Sequence, residues 1–259
     1  ELMPVAHHLE GSYQLFLRFV TANAMGANFI NSVLEAMAAK WQALIRESGF
    51  GKELEITMAI LSNHLPESLA HCYVECAVQN LDELNTGMAP EVFAEKFIHA
   101  VDIAREDIFR AVTHNKGIMN GVDALVMATG NDYRAVEAAA HAYAARDGQY
   151  RSLSSASLSD GMFRFELELP LALGTVGGLT VSHPLAAVSL EILDHPSALQ
   201  LMKIVAVVGL ASNFSAVRAL VSTGIQKGHM KLHLDKILIS LGATSEEGHK
   251  VQDHFAGQV

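Results

Sequence analysis

The alternation of apolar and charged residues over positions 163–169 constrains the fold of this chain more than any other sequence feature. Phe or Leu occupies every second position there, and Arg or Glu occupies the positions between them. Because successive side chains of a strand point to opposite faces, the pattern predicts a strand with one apolar face. An apolar sheet face has to be covered by a second layer, and the rest of the sequence is rich in helical patterns that can supply it.

Strand and helix patterns also follow one another over the first 110 residues. Alternating apolar positions predict strands at residues 13–20, 53–62 and 70–79. Apolar positions at helical spacing predict two helices: one over residues 29–48 with Asn28 as its N-cap, and one from Pro90 to about Arg110. The order strand, helix, strand, strand, helix indicates a small α+β domain.

The second half of the chain is predicted to be mainly helical. An alanine-rich helix is expected at residues 132–145, and a glycine-rich turn at residues 174–178 follows the alternating strand. Further helices are predicted from Pro184, from residue 196 to residue 222, from about His229 and from Thr244. The apolar run at residues 199–217 contains Lys203 as well as Ser212, Asn213 and Ser215, which favours a buried core helix over a membrane span.

Composition excludes several classes of function. Half of the residues are hydrophobic and 18% are charged, which is typical of a soluble globular protein rather than a disordered one. The formal net charge is −10 and the basic residues are scattered, so no nucleic-acid partner is expected. The two cysteines, Cys72 and Cys76, offer no disulfide framework, and no signal sequence is evident, which predicts a cytoplasmic protein.

A cluster of polar side chains over residues 110–120 is the first candidate site. Its members are Arg110, His114, Asn115, Lys116 and Asn120, with Gly117 and Gly121 beside them. A basic group on a glycine-bearing loop after a helix is suited to hold an anion or a developing oxyanion. By themselves, these residues favour a plainer interpretation, in which the cations complement the dipole at a helix C-terminus and glycine supplies the exit turn.

Two further groups of polar residues have both a structural and a catalytic interpretation. Asp132 is an N-cap candidate, and it would form a charge couple with Lys116 if folding placed the two together. His229 and His233 have a spacing that suits a zinc pair, although no third ligand is evident. His229 is otherwise a helix-surface residue or a group that exchanges protons near neutral pH. Residues 174–178 do not satisfy the dinucleotide motif, and no P-loop occurs.

Five separated motifs, taken together and in order, are far more specific than any of these residues alone. They read NAMGAN at residues 23–28, THNKGIMNG at 113–121, ATGNDYRAVEA at 128–138, GTVGG at 174–178 and GIQKGHMKLH at 224–233. The set resembles the class II, or bacterial-type, hydroxymethylglutaryl-CoA (HMG-CoA) reductases over nearly the whole chain.

The resemblance implies that HMG-CoA is interconverted with mevalonate and CoA, with NADH or NADPH as the hydride-carrying cosubstrate and with no metal. Lys116 matches the catalytic lysine that stabilises the oxyanion of the thioester. Asp132 matches the aspartate that orients this lysine, and His229 matches the general acid that protonates the departing CoA thiolate.

The resemblance also implies ligand-binding positions. Those that contact the HMG group are matched by Arg110, Asn120 and Asn213. Those that contact the dinucleotide are matched by Asn23, Met25, Gly26, Ala27, Asn28 and Asn63. The turn before the first long helix would present backbone N–H groups to the pyrophosphate.

The architecture implied by the resemblance is α+β. A small nicotinamide-binding domain, with an antiparallel sheet, two helices and no Rossmann fold, is inserted in a larger, mainly helical domain that ends in a C-terminal helical flap. Residues 1–112 are then the small domain, residues 113–226 part of the large substrate-binding and dimerisation domain, and residues 227–259 the flap. The family's active site forms at a subunit interface, which implies a homodimer or a larger assembly of dimers.

Two departures from the family pattern are evident. Position 23 is Asn where the family has Asp, which removes a charge beside the cofactor. The family's catalytic glutamate, in a segment that reads like E-E-P-S, has no counterpart here, so the chain is expected to begin after it and to turn over little substrate alone. Two alternatives to an active reductase stay open: an impaired fragment that keeps cofactor binding and dimer contacts, and an acyl-CoA-binding module of unrelated chemistry.

Overall fold

The computed structural model describes residues 2–4, 11–49, 55–222, 234 and 237–255. The strands are β1 (Leu2–Pro4), β2 (Tyr13–Leu15), β3 (Leu69–Ala77), β4 (Ser154–Ser159) and β5 (Met162–Pro170). The helices are α1 (Ala27–Glu47), a 3-10 helix (Val78–Leu84), α2 (Pro90–Glu106), α3 (Ile108–Ala128), α4 (Tyr133–Ala144), α5 (Leu179–Ser182), α6 (Pro184–Ile192), α7 (Ala198–Val221) and α8 (Ser245–Phe255). The predicted mixture of helices and small antiparallel sheets is confirmed.

Strand β5, which carries the alternating pattern, is the centre of a three-stranded antiparallel sheet with the order β3-β5-β4. Its apolar side chains are buried, as predicted, and α2 and α7 pack against the sheet. Phe97 of α2 packs edge-on against Phe163 and Phe165, with ring centroids 5.4 and 5.1 Å apart. The sheet therefore packs against α7 and fixes its position.

Helix α3 runs unbroken through the motif THNKGIMNG, so the predicted loop or helix end at Gly117 and Gly121 is wrong. Both glycines face α7 instead, and a Cβ on Gly121 would come within 2.8 Å of the Val208 backbone oxygen. On α7, a Cβ on Gly209 would lie 2.8 Å from a methyl carbon of Val122. The glycines therefore let α3 and α7 cross closely, which fixes the polar cluster on one rigid helix.

The helix predicted from Pro90 to Arg110 is two helices. Asp107 adopts an extended conformation between α2 and α3, and its side chain accepts hydrogen bonds from the backbone N–H groups of Phe109 and Arg110. Asp107 therefore ends one helix and caps the next, a change of direction that apolar spacing does not reveal.

Strand predictions in the first part of the chain are partly wrong. The described residues 55–62 form no strand, and β2 is the only strand within the predicted segment 13–20, all of which is described. The strand predicted at residues 70–79 is confirmed as β3. Strand β4 was missed by the apolar pattern because its sequence, SSASLS, alternates weakly and is half exposed.

The starts of several helices were predicted correctly because capping residues mark them. Helix α4 begins at the predicted cap Asp132, and α7 begins with a capping box between Ser197 and Gln200. Thr244 and Glu247 form the same reciprocal bonds at the start of α8. Helix α1 is confirmed, although Gly26 rather than Asn28 is its N-cap.

Helix α7 is the one described helix long and apolar enough to cross a membrane by length and composition. Eight of its residues are nevertheless buried, and it packs against α3, α2 and the sheet. These contacts agree with the predicted core helix.

Burial changes sharply near residue 68. Within the described residues, the buried hydrophobic core begins at Ala70, and α1 contributes no buried residue to it. Strand β3 pairs along its whole length with β5, so the sheet joins segments on both sides of the predicted boundary at residue 112, which itself lies inside α3.

Candidate active site

Lys116 projects from an exposed side of α3. Helix geometry places Phe109, Val112, Asn120 and Met127 on the same side, which we call the open face of α3. Phe109 is 85% exposed, and Val112 and Met127 are each 53% exposed. In the described part of the chain, the Lys116 side chain has no hydrogen bond or ion pair. The predicted catalytic lysine therefore lies in the middle of a largely apolar surface that no other described residue covers.

An apolar groove of about 640 Å³ continues the open face towards α6. Met127 lines it together with Gly130, Leu185 and Val188. Leu185 and Val188 are themselves largely exposed, which extends the uncovered apolar surface from α3 across α6. Contiguous apolar surface of this kind is typical of sites that bind a protein partner, a membrane or a ligand.

Asp132 does not meet Lys116 within this chain. Its carboxylate accepts hydrogen bonds from the backbone N–H groups of Arg134 and Ala135 and pairs with the Arg134 guanidinium at 3.5 Å. The turn before α4 is held at the far end of α3, where the Asn131 N–H donates to the Val126 carbonyl. Val126 lies ten residues after Lys116 along α3, a distance of about 15 Å at 1.5 Å per residue.

Arg110 and Asn120 share α3 with Lys116. Arg110 is half-buried near the start of the helix, and Asn120 is exposed one turn after Lys116. Two of the three residues predicted to hold the HMG group thus lie on either side of the lysine on one helix, with Asn120 on the open face.

Asn213 lies inside the protein rather than on an open surface. It is 1% exposed, its amide nitrogen donates to the His114 carbonyl at 3.3 Å, and its amide oxygen accepts from the Ser154 hydroxyl at 2.9 Å. Since both ends of the amide are bonded within the protein, the structure does not present Asn213 to a ligand as the resemblance implies.

His114 is the buried histidine of this region and is 2% exposed. Burial, together with the nearby positive charge of Arg110, lowers the pKa of its imidazole to about 4. The ring is therefore neutral at physiological pH, and a histidine so buried cannot act as a proton donor to a ligand.

The turn from Thr21 to Gly26 leads into the N-terminus of α1. Gly26 has a φ of +83°, a conformation that favours glycine, and no side chain caps the first backbone N–H groups of α1. The first turn carries no acidic residue, and Asn28 is exposed there. Asn63 lies on an exposed segment that the Leu61 N–H ties to Asn31 of α1. Met25, Gly26, Ala27 and Asn28 thus lie at one helix N-terminus, and the segment that carries Asn63 is tied to the same helix at Asn31.

Asn23 differs from the rest of this set because its side chain is engaged elsewhere. The Asn23 side-chain oxygen accepts from the backbone N–H of Ala198 at 3.0 Å, which is the first residue of α7. Its carbonyl accepts from the Thr175 N–H, and a Cβ on Gly174 would lie 2.5 Å from the Met25 nitrogen. Asn23 therefore fastens the turn to the core, a role that the sequence does not signal.

Asp123 and Cys72 also have shifted pKa values. Burial and the neighbouring Glu137 raise the pKa of Asp123 on α3 to about 6, and burial raises the pKa of the Cys72 thiol to about 11. The described residues include no group of three or more His, Cys, Asp or Glu side chains placed to hold a metal. His229 and His233 lie outside the described residues.

Comparison with known proteins gives a single family. Residues 2–234 match the family model described as hydroxymethylglutaryl-coenzyme A reductase. The chain is 41% identical over 230 residues to the 3-hydroxy-3-methylglutaryl-coenzyme A reductase of Archaeoglobus fulgidus, covering 88% of this chain and 49% of that protein. It is 37% identical over 231 residues to the probable enzyme of the same name from Borreliella burgdorferi, covering 88% and 51%.

Solved structures agree with the sequence match. The 3-hydroxy-3-methylglutaryl-coenzyme A reductase of Streptococcus pneumoniae superposes with a TM-score of 0.70 at 40% identity, covering 92% of this chain and 55% of that one. The class II enzyme from the same organism, bound to NADPH in open conformations, superposes with a TM-score of 0.69 at 41% identity, covering 91% and 55%. The chain spans about half the length of the curated relatives it matches.

Proposed function

Since this chain belongs to the hydroxymethylglutaryl-coenzyme A reductase family, we propose that it catalyses the NAD(P)H-dependent reduction of HMG-CoA to mevalonate and CoA, or the reverse oxidation. The observation that carries the proposal is Lys116, which stands unpaired on the open face of α3 within a family-matching motif. The homologous enzyme from Streptococcus pneumoniae binds NADPH, which supports a nicotinamide cosubstrate for this chain.

Lys116 stabilises the negative charge that develops on the thioester oxygen. A preorganised ammonium group is effective in this role because its charge is already aimed where the oxyanion forms. Arg110 binds the carboxylate of the HMG group as a guanidinium, and Asn120 donates from its amide to the substrate on the same helix. His229 protonates the departing thiolate as general acid.

We infer that a second copy of the chain covers the open face and brings its own Asp132 to Lys116. The separation of about 15 Å along α3 within one copy, at 1.5 Å per residue, supports this arrangement, as does the exposure of Phe109, Val112 and Met127. An aspartate delivered by a partner would hold the lysine protonated and orient it. A homodimer, or a larger assembly of dimers, is then the active form.

The first turn of α1 suits a dinucleotide. Uncapped backbone N–H groups, the positive end of the helix dipole and the lack of an acidic side chain in that turn all favour a pyrophosphate there. Met25, Gly26 and Ala27 would approach the dinucleotide through the backbone, and Asn28 and Asn63 through their amides. NADH or NADPH, when bound, supplies the hydride.

We place the division between the nicotinamide-binding unit and the catalytic core near residue 68 rather than at residue 112. The start of the buried core at Ala70 and the pairing of β3 with β5 support this boundary. We propose that residues 227–259 act as a flap over the substrate, as the family resemblance implies; residues 227–233, 235, 236 and 256–259 lie outside the described part of the chain. We also propose that the protein acts in the cytoplasm.

The direct test is consumption of NADPH or NADH, followed by absorbance, with HMG-CoA as substrate, for this chain alone and for a chain that also carries the family's upstream glutamate segment. The proposal predicts little turnover by the first and turnover by the second that is lost in Lys116→Ala, while Lys203→Ala on α7 leaves it unchanged. Binding of the cofactor without any turnover would favour the impaired-fragment alternative. Turnover or CoA binding that is unaffected by Lys116→Ala would favour an unrelated acyl-CoA-binding module.

A further inference from the structure

A ring of three buried polar side chains lies where α3, α7 and β4 meet. His114, Ser154 and Asn213 are 2%, 3% and 1% exposed. The His114 Nε2 atom lies 2.7 Å from the Ser154 hydroxyl, which lies 2.9 Å from the Asn213 amide oxygen. The Asn213 amide nitrogen closes the ring on the His114 carbonyl at 3.3 Å.

The direction of each hydrogen bond in this ring follows from the one before it. The carbonyl of His114 can only accept, so the Asn213 nitrogen must face it and the Asn213 oxygen must face Ser154. The single hydroxyl proton of Ser154 is therefore donated to Asn213, and Ser154 can only accept from His114. His114 is consequently the Nε2–H tautomer, and its Nδ1 atom has no partner among the described residues.

Asn115, the residue after His114 on α3, is held by the backbone segment that leads into Ser154. The Asn115 amide nitrogen donates to the Arg151 carbonyl at 2.8 Å, and its amide oxygen accepts from the Leu153 N–H at 3.0 Å. We call the segment 151–154 together with Asn213 the α3 clamp. Both ends of the Asn115 amide are therefore hydrogen-bonded to the backbone of this segment, and Asn115 itself is fully buried.

The clamp therefore grips the two residues that immediately precede Lys116. Successive residues of an α-helix are about 100° apart, so Lys116 points about 200° away from His114. Fixing His114 inward against α7 aims Lys116 outward. Rotation of α3 about its axis would break both the ring and the Asn115 bonds, and Gly121 at the α7 crossing leaves no room for it.

We propose that the α3 clamp is a positioning device for the catalytic lysine: it holds His114 and Asn115, and Ser154 and Asn213 act on Lys116 through His114 and α3. The proposal rests on the proposed function of Lys116.

The tautomer of His114 tests the ring directly and needs no change to the chain. Nitrogen-15 NMR of the full chain, with the His114 signals assigned through His114→Gln, should show a neutral ring protonated at Nε2. A ring protonated at Nδ1 would overturn the donor order, and with it the proposal.

Substitution of Ser154 tests the positioning role. Ser154→Ala removes the link between His114 and Asn213, Ser154→Thr keeps a hydroxyl there, and Ser157→Ala is the matched control on the exposed part of β4. We expect backbone amides of residues 113–120 to exchange about tenfold faster in Ser154→Ala than in Ser157→Ala. We expect kcat to fall about tenfold with an unchanged KM for NADPH, and Ser154→Thr to recover most of the loss.

The outcomes separate the clamp from the proposed function. Equal amide exchange in Ser154→Ala and Ser157→Ala, or an unchanged kcat for Ser154→Ala in an active enzyme, would overturn the clamp. No turnover by the unsubstituted chain that carries the upstream glutamate segment would count against the proposed function, and the exchange rates and the tautomer would still decide the clamp. If Ser154→Ala fails to fold, the tautomer of the unsubstituted chain decides.

Discussion

At the scale of single residues, His114 links the stability of the fold to pH. The pKa of its imidazole is lowered to about 4 in the folded chain against an ordinary value of 6.5. The folded state therefore resists protonation, and stability that is fully present above pH 6.5 is lost as the pH falls towards 4. The loss is at most about 3–4 kcal/mol, given about 1.4 kcal/mol for each pKa unit.

This dependence is measurable by urea unfolding between pH 7 and pH 4. Asp123, with a pKa raised to about 6, contributes in the opposite direction over part of the range, so the comparison with His114→Gln isolates the histidine. The difference in unfolding free energy between the two proteins should shrink as the pH falls. A constant difference would show that His114 does not resist protonation in the fold.

Asn23 illustrates what sequence can and cannot reveal about a residue. Its motif places it correctly in the turn before α1, and the family resemblance implies a cofactor contact. The side chain instead accepts from the first N–H of α7, 175 residues away in the chain. A contact between such distant segments leaves no local pattern, whereas the caps of α4 and α8 were predictable because donor and acceptor lie within three residues.

The presence of Asn instead of the family's Asp at position 23 is expected to have only a small effect on cofactor binding. Asn23→Asp keeps an oxygen acceptor facing the N-terminus of α7, where a negative charge is favourable. We expect the KM for the nicotinamide cosubstrate to change by less than about tenfold, whereas Asn23→Ala should loosen the turn and raise it further. A larger effect of Asn23→Asp than of Asn23→Ala would place the side chain against the cofactor instead.

At the scale of elements, the crossing of α3 and α7 is the contact on which the site depends. The sequence pattern identifies α7 as a core helix, but it assigns Gly117 and Gly121 to a turn, since glycine after a basic cluster is common at a helix end. Only the position of α7 shows that these glycines make room for another helix.

Gly121→Ala tests that interpretation. The added methyl group would meet the Val208 carbonyl and the Ser212 side chain, so we expect a loss of about 1–3 kcal/mol in unfolding free energy. Gly248→Ala in α8, where a Cβ meets nothing within 4 Å, is the matched control and should leave stability unchanged or slightly raised. Equal effects of the two substitutions would mean that α3 and α7 do not approach closely at Gly121.

At the scale of the whole molecule, the proposed active site is shared between two copies of the chain. The motifs alone suggest that Lys116 and Asp132 belong together, and sixteen residues separate them in the sequence. The structure puts them at different levels of α3, with Asp132 used as a helix cap and Lys116 on the open face. The sequence could not predict this arrangement. It contains the residues of a site, but it does not show whether those residues come from the same copy of the chain.

Coexpression of Lys116→Ala and Asp132→Ala chains measures the sharing directly. Each variant alone should be inactive in reduction of HMG-CoA. If the lysine of one copy meets the aspartate of the other, mixed dimers hold one intact site, and random pairing should restore about one quarter of the unsubstituted activity. Failure of the mixed preparation to regain activity, with mixed dimers shown to form, would contradict a shared site and place Lys116 and Asp132 in the same copy.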